Sequence, residues 1–380
     1  NALKYHDIKG HLPFLSWIYN PMAMTLIQHG CNMNCAFCGG SYYSYKKNFF
    51  PHSPIVRDVS RVVDEVELVH QKLGAPIFIA GDINYSGEKF YTRFFKEIRE
   101  RGIDIPLLTE YFTPPGLDYY LELKKAFPEY TSEISPESSV ENIRARTGKV
   151  YSNKDLEKSV RHAAENGCRK FDIYFSIGVP GQEPDDVFAD VKYSEKLFRD
   201  FHDTRMQLSA FISPLTPFLD PGSLIYEFPD RYGYRIRATG IQDYYDLLDF
   251  GSGWEDFLNY ETDRMNRKTI EETTYIAAKM MADLRFRMEY ISEAEHSRIV
   301  ESIQEYVEGK PVEHKGRLDH HLTYMSKEIQ WSRKHHLTLS SFMIFLYRQY
   351  YGLENSRMVR KLIAGFAAPS KKKESTNVQP

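Results

Sequence analysis

The sequence predicts an α/β chain: a partial (β/α)6 TIM-like barrel followed by a helical C-terminal extension. Three observations predict it. Six short apolar runs recur between residues 22 and 212, with helix-compatible stretches between them. That alternation stops past residue 214. No apolar run reaches the roughly 18 residues that a membrane span needs.

The elements follow in order. Residues 1–21 are irregular, broken by Pro13 and Pro21, and read as a linker or N-terminal extension. Met22–Gln28 reads as a buried strand and Ile55–Leu73 as a helix with apolar positions at helical spacing. Pro76–Ala80, Ile105–Thr109, Tyr130–Ile134, Phe171–Ile177 and Met206–Ile212 read as five more strands. Helices are expected near 88–101, 117–126, 154–166 and 184–199. Strands joined by helical crossovers imply a parallel sheet whose chemistry sits at the C-terminal strand ends. A Pro/Gly-rich aromatic stretch, 214–234, then leads to helices near 240–249, 269–288, 292–307 and 320–350. The domains expected are the barrel over 22–235, a helical region over 236–368 and a disordered tail over 369–380.

Bulk charge excludes little but helps. Lys and Arg total 49 against 52 Asp and Glu, a net charge of -3, so no electrostatic case exists for nucleic acid as main partner. The first residues show no charged and apolar leader, so secretion is not expected and a cytoplasmic location is. Three of the four cysteines fall within eight residues. A disulfide framework would spread them, so a cytosolic metal site fits better.

That segment is Cys31-Asn-Met-Asn-Cys35-Ala-Phe-Cys38-Gly39-Gly40, directly after the first strand. Three thiolates on one short loop can hold three irons of a cubane and leave the fourth open, as a reaction centre needs. Gly39 and Gly40 allow the backbone to fold tightly around it. Structural zinc is the alternative, with His29 as the nearest fourth ligand, but zinc sites usually come as two paired knuckles. Cys168 reads as a small buried hydrophobe. Tyr42, Tyr43 and Tyr45 flank the loop, either facing substrate or forming its aromatic cover. His320-His321 and His335-His336 diverge around helices and read as surface residues.

The CxxxCxφC pattern, with Phe37 before the last Cys, resembles the radical S-adenosylmethionine (SAM) signature. The resemblance implies a partial barrel of radical SAM type, with a [4Fe-4S] cluster on Cys31, Cys35 and Cys38. Ala80-Gly81-Asp82 resembles the family's Gly-Gly-Glu motif, which holds the methionine amino group, but has Ala for the first Gly and Asp for Glu. Glu133-Ile-Ser135-Pro136-Glu137-Ser138 resembles the segment that contacts ribose and the methionine carboxylate, with Ser135 and Glu137 as polar contacts or as the cap of the next helix. Ile177-Gly178-Val179-Pro180-Gly181 resembles the loop that packs on adenine, or serves as a tight strand-to-helix turn.

A narrower resemblance runs from Pro13 to Met288. The strings CGGSYY, PIFIAGDI, EISPES, FSIGVPGQ, ISPLTPFLDPGS and NYET are similar to a cobalamin-binding-domain/radical SAM family. In that family a Rossmann-like cobalamin module precedes the barrel. None precedes Pro13 here, so the sequence is expected to be either a trimmed stretch or a member without the module, with weak cobalamin binding and an open, apolar barrel mouth.

The resemblance implies reductive SAM cleavage to a 5′-deoxyadenosyl radical. An electron donor such as flavodoxin or ferredoxin and a small-molecule substrate are then expected, and cobalamin-linked methyl transfer or a C–C bond reaction. Ser213–Pro217 and Asp220–Ser223 are expected to form a rigid rim of the pocket. The alternatives are a cobalamin-independent radical SAM oxidoreductase and a non-enzymatic iron–sulfur or zinc protein.

Overall fold

The structure is a computed structural model and describes residues 22–49, 54–72, 74–215, 219–250 and 254–307. In chain order its strands are β1 (Ala23–Leu26), β2 (Gln28–His29), β3 (Ile55–Val56), β4 (Ile77–Ala80), β5 (Leu107–Tyr111), β6 (Tyr130–Glu137), β7 (Cys168–Ile177), β8 (Gln207–Pro214), β9 (Tyr234–Ile236) and β10 (Tyr260–Thr262). Six of them form one sheet in the order β1-β4-β5-β6-β7-β8, which is chain order, and β4 through β8 pair in parallel. Each of the six expected apolar runs contributes one of these strands. A sheet wound in chain order with a helix in every crossover is the partial TIM-like barrel that the alternation predicts.

The helices form where apolar residues recur at helical spacing. Glu88–Glu100 buries Phe90, Tyr91, Phe94, Phe95 and Ile98 on one face. Asn153–Glu165 starts at a capping box between Ser152 and Asp155. Pro184–Phe201 starts with Pro at its first turn and a reciprocal Glu183–Asp186 box, then buries Val187, Val191, Leu197, Phe198 and Phe201. Behind the sheet, Phe95, Tyr111, Tyr119, Tyr120 and Phe171 make edge-on or tilted ring pairs 5.6 to 6.2 Å apart. Each fully buried ring of this kind contributes roughly 1.5–3 kcal/mol. Much of the aromatic content is therefore core.

Several elements were not expected from the sequence. Tyr42–Asn48 is a helix capped by Ser41, and Glu141–Arg146 is another. Within the Pro/Gly-rich stretch, Leu224–Glu227 and Pro229–Tyr232 are single helical turns. β9, at the end of the Pro/Gly-rich stretch, pairs antiparallel with β10, which lies in the region read as helical. The helices Ile241–Phe250, Arg267–Arg287 and Glu293–Val307 fall where expected. Arg267–Arg287 packs on Pro184–Phe201 and β8.

By backbone contacts, residues 24–67 and 77–315 form one compact unit. The other comprises 1–23, 68–76 and 316–380; in its described part the Gly74 amide donates to the Val69 carbonyl at 3.0 Å. Residues 1–21, Thr216 and Pro217, the helix near 320–350 with its histidine pairs, and the tail 369–380 lie outside the described residues. No described helix is long and apolar enough to cross a membrane.

Candidate functional site

The cysteine loop begins where β2 ends, and distant segments hold it in place. Gly30, at φ +71°, admits the Tyr45 ring so closely that a Cβ would lie 2.5 Å from Tyr45 Cγ. Ala36 donates its amide to the Thr147 carbonyl and accepts from the Ile225 amide, both at 2.9 Å. The Gly39 amide donates to Asp220 Oδ2 at 2.8 Å. Asn34 Oδ1 accepts from the Tyr43 amide at 3.1 Å. Asp220 thus holds the cysteine loop, yet no described residue of 213–223, where the rim was expected, lines the cavity, and Ser223 caps the short helix that follows.

Cys31, Cys35 and Cys38 all line one cavity of about 560 Å³. Met33 and Gly40 donate amide hydrogens to Cys31 Sγ and Cys38 Sγ at 3.3 Å. Burial pushes all three thiols above their ordinary range, Cys38 to about 11. A bound metal reverses that shift and takes the thiolates. Among the described residues no three His, Cys, Asp or Glu side chains gather as ligands of one metal ion. A cubane, in which each thiolate takes a different iron, requires no such gathering. Three soft thiol donors on one loop, facing one cavity, fit an iron–sulfur cluster.

The strand ends supply the opposite wall. Gly81, Ser135 and Glu137 line the same cavity as the thiols. Gly81 stands at φ +103°, and a Cβ there would meet Ile27 Cγ1 at 2.7 Å, so only glycine fits. Its amide donates to Glu110 Oε1 at 2.5 Å, and Glu110, at the end of β5, lines the cavity too. Burial raises the Glu110 carboxyl above the usual range, and the Gly81 amide and Lys149 work against that.

Glu137 sits at φ +69° beside a register shift in the β6–β7 pairing, a conformation costly for a residue with a Cβ. Its two carboxylate oxygens accept from Lys149 Nζ at 2.6 Å and from Ser176 Oγ at 2.5 Å. Lys149 also donates to the Ser135 carbonyl. Burial opposes the charge on Lys149, yet Glu137 first, then Cys35 and Tyr151, keep its pKa above the usual lysine range. A buried cation therefore stands beside the cysteine loop, and it lines the cavity as well.

Two expected contacts lie elsewhere. Asp82 is fully buried and is not among the residues lining the cavity. Its Oδ1 accepts from the Tyr85 amide at 2.9 Å and its Oδ2 from the Phe112 amide at 2.6 Å, so it clasps the turn after β4 to the end of β5. Burial pushes its carboxyl up to about 7. Gly178, at φ +87°, donates to Gln182 Oε1 at 2.8 Å and accepts from the Tyr234 hydroxyl. A Cβ on it would lie 2.8 Å from the Tyr260 hydroxyl oxygen. The β9–β10 hairpin thus covers this loop, and Gly178 does not line the cavity.

Of the tyrosines near the loop, Tyr45 stacks on Phe49 with centroids 5.0 Å apart, and Tyr43 tilts against Phe228 at 6.0 Å. Neither they nor Tyr42 line the cavity, which is the loop-cover reading. Cys168 is buried at the start of β7 and donates to the Lys170 carbonyl at 3.0 Å. Sequence reasoning missed Glu110 and Lys149. The available signal for Glu110 was its place as a charged residue ending a barrel strand; Lys149 in its loop gave none.

Residues 25–193 match the model of the radical SAM superfamily. No curated protein matches the chain. The radical SAM methyltransferase TsrM from Kitasatospora setae, solved with cobalamin and a [4Fe-4S] cluster bound, is similar at 18% identity over 58% of this chain and 43% of its own, with a TM-score of 0.45. The cobalamin-dependent radical SAM enzyme OxsB is similar at 12% identity over 93% and 56%, with a TM-score of 0.45. The radical SAM enzyme coproporphyrinogen III oxidase (HemN) from Escherichia coli is similar at 18% identity over 58% and 55%, with a TM-score of 0.36. The chain matches 43% of the length of TsrM, and at such identities and scores nothing about its reaction follows. The superfamily match runs from within β1 through β7 and takes in the cysteine loop and every strand that lines the cavity: residues 25–193 of this chain match the radical SAM superfamily.

Proposed function

We propose that this chain is a radical SAM enzyme that binds a [4Fe-4S] cluster through Cys31, Cys35 and Cys38 and cleaves SAM reductively in the cavity those cysteines line. One observation carries the reading: three thiols, a buried lysine and a strand-end carboxylate share one cavity. When bound, the cluster supplies the electron, and SAM supplies the sulfonium that accepts it.

The chain's own residues bind and orient. Cys31, Cys35 and Cys38 would hold the cluster, which with only three thiolates would keep a place for SAM. Lys149, held charged by Glu137, would receive the methionine carboxylate. The free oxygen of Glu110, beside Gly81, would receive the methionine ammonium, the part the sequence assigned to Asp82. Asp82 is then a positioning residue that fixes the Gly81 turn against β5, and Gly178 holds the β7 loop under its tyrosine cover. Ser135 and Glu137 remain our choice for the polar contacts at the end of β6, and the barrel wall excludes water from them.

The test is anaerobic reconstitution with iron and sulfide, reduction with dithionite, and quantitation of 5′-deoxyadenosine and methionine. A fully loaded, reduced protein that forms neither would end the reading.

On the strings EISPES and ISPLTPFLDPGS alone we assign methyl transfer linked to cobalamin, acting on a small-molecule substrate, with flavodoxin or ferredoxin as donor. Among the described residues all parallel pairing lies in the one six-stranded sheet, which offers no separate corrinoid cradle, so no step is routed through cobalamin. The stretch described here should take up little hydroxocobalamin, and a longer natural chain should gain corrinoid absorbance from it. A longest natural chain that gains no corrinoid absorbance would refute the assignment.

A further inference from the structure

Below the SAM-facing strand ends, the inner face of the sheet carries acid. Glu110, Glu133 and Asp172 are register partners across β5, β6 and β7, and Ser209 follows on β8. Register partners on parallel strands point to the same side. Glu110 and Glu133 line the cavity, and their register places Asp172 and Ser209 on the same inward side, buried beyond the cavity's lining; Ser132, before Glu133 on β6, is fully buried. Along β6 Glu133 stands four residues before Glu137, roughly 13 Å from that strand's end, while on β5 Glu110 is next to the last residue, so the row runs from the SAM-facing end at β5 to the interior at β6 and β7.

The row is not balanced by the protein. Asp172 is 5% exposed; its Oδ2 accepts from Lys170 Nζ at 2.7 Å, while its Oδ1 is buried with no hydrogen-bond partner. Glu133 meets burial, Glu110, Asp172 and Lys170, and among the described residues no hydrogen-bond donor. Lys170 thus answers Asp172 and acts on Glu133, Lys149 and the Gly81 amide answer Glu110, and Glu133 is left without a donor of its own. A buried polar oxygen without a partner is destabilising, and a ligand that supplies the donor relieves that cost. The three carboxylates do not gather as a metal site. One step above Asp172, Tyr174 stacks on Phe211 with centroids 4.9 Å apart, and across the cavity stand Leu26 and Phe112. The floor is anionic and the walls are apolar.

We propose that Glu133 and Asp172 form the substrate subsite and that it takes an organic ammonium group, so the substrate is an amine with an apolar body. Glu133 receives the ammonium directly, and Asp172 Oδ1 accepts its second N–H. Calling the occupant a substrate rests on the radical SAM reading above; the binding itself does not. Burial, with Glu110 and Asp172 beside it and Lys170 opposing, pushes Glu133 up to about 7. Ammonium binding therefore weakens as pH falls below that value, because Glu133 must first lose its proton.

The experiment titrates the reconstituted full chain calorimetrically at pH 8 with tyramine and with tyrosol, which share a hydroxyphenethyl frame and differ in ammonium against hydroxyl. Tyramine should bind at least about tenfold more tightly, the value of one charge-assisted hydrogen bond. Glu133→Gln should bring the two probes within about threefold, and Asp172→Asn should weaken tyramine alone by about tenfold. Equal affinities in the wild-type protein, or a preference that survives Glu133→Gln, would overturn the proposal. So would displacement of tyramine by Mg²⁺ at matched ionic strength. A Glu133→Gln protein that loses SAM affinity as fully as tyramine affinity assigns the row to the cofactor, which also overturns it. Formation of 5′-deoxyadenosine by the wild-type protein is measured separately. Its absence would refute the SAM reading while the tyramine preference could still stand.

Discussion

The turn after β4 and the turn after β7 carry the same local message, a glycine in a positive-φ conformation closing a parallel strand, yet they differ in what reaches them. At Gly81 the neighbours are Ile27 and the Glu110 carboxylate, and the backbone opens on the cysteine-lined cavity. At Gly178 the neighbours are Tyr234 and Tyr260, carried in on a hairpin from far along the chain. Asn259, just before Tyr260, pins that hairpin by exchanging hydrogen bonds with the Leu219 backbone at 2.9 and 3.2 Å. A strand-end glycine announces close approach; the rest of the fold decides whether cofactor or protein does the approaching.

The contrast between a cavity side and a packed side can be broken in several ways. The largest effect is expected at the thiols. Cys31→Ala, Cys35→Ala or Cys38→Ala should abolish the cluster's visible absorbance and EPR signal, whereas Cys168→Ala, in the packed wall, should keep both. Equal loss in the Cys168 variant would erase the distinction.

Next comes Glu137. Removing one partner of a buried ion pair costs about 3–5 kcal/mol, so Glu137→Ala should lower the denaturation midpoint sharply as well as SAM affinity. Loss of SAM affinity at unchanged stability would mean that Glu137 serves the ligand and not Lys149. A smaller change is expected at Gly178→Ala, which forces a Cβ into the Tyr260 hydroxyl at unfavourable φ. About 1–3 kcal/mol of stability should go, with SAM affinity in the surviving folded protein little altered. If affinity collapses while the melting temperature holds, the turn after β7 belongs to the cavity after all.

The smallest effect at neutral pH is expected for Asp82→Asn, about 1 kcal/mol, as one amide loses its acceptor. Its signature lies in pH. Burial raises Asp82 from its ordinary 3.8 to about 7, so between these values the native state binds more protons than the unfolded one. Its stability contribution is complete below pH 3.8 and is lost as pH rises through 7. Denaturation of the cluster-free protein across that range should show the decline, flattened in the Asn variant. Parallel curves for the two proteins would contradict the buried, turned-away placement of Asp82.

These cases also mark how far residues alone can be read. The six strands were legible because each is a short apolar run between helical stretches. Leu107–Tyr111 was read two residues early because Ile105 extends the apolar pattern through Pro106. Tyr42–Asn48 was not legible as a helix. Its aromatic run has weak helical propensity, and packing under Gly30 and against Phe49 and Phe228 secures it. β9 and β10 are three residues each and find each other across a long insertion, so no local alternation betrays them. At the site, the cysteines stood out by spacing alone, while Lys149 becomes functional only through where the fold puts it.

Ala36, between two of the cysteines, spends its amide on Thr147 and its carbonyl on Ile225. A chain made from its N-terminus exposes all three thiols early and both of those partners late. While it is still being synthesised, the segment that would grip iron is an unframed loop, open to oxidation and to stray metals. Its frame closes only after the barrel strands through β8 have emerged. Correct loading is thus a late event in the life of the nascent chain, and whatever guards the thiols until then acts on a protein that is still unfinished.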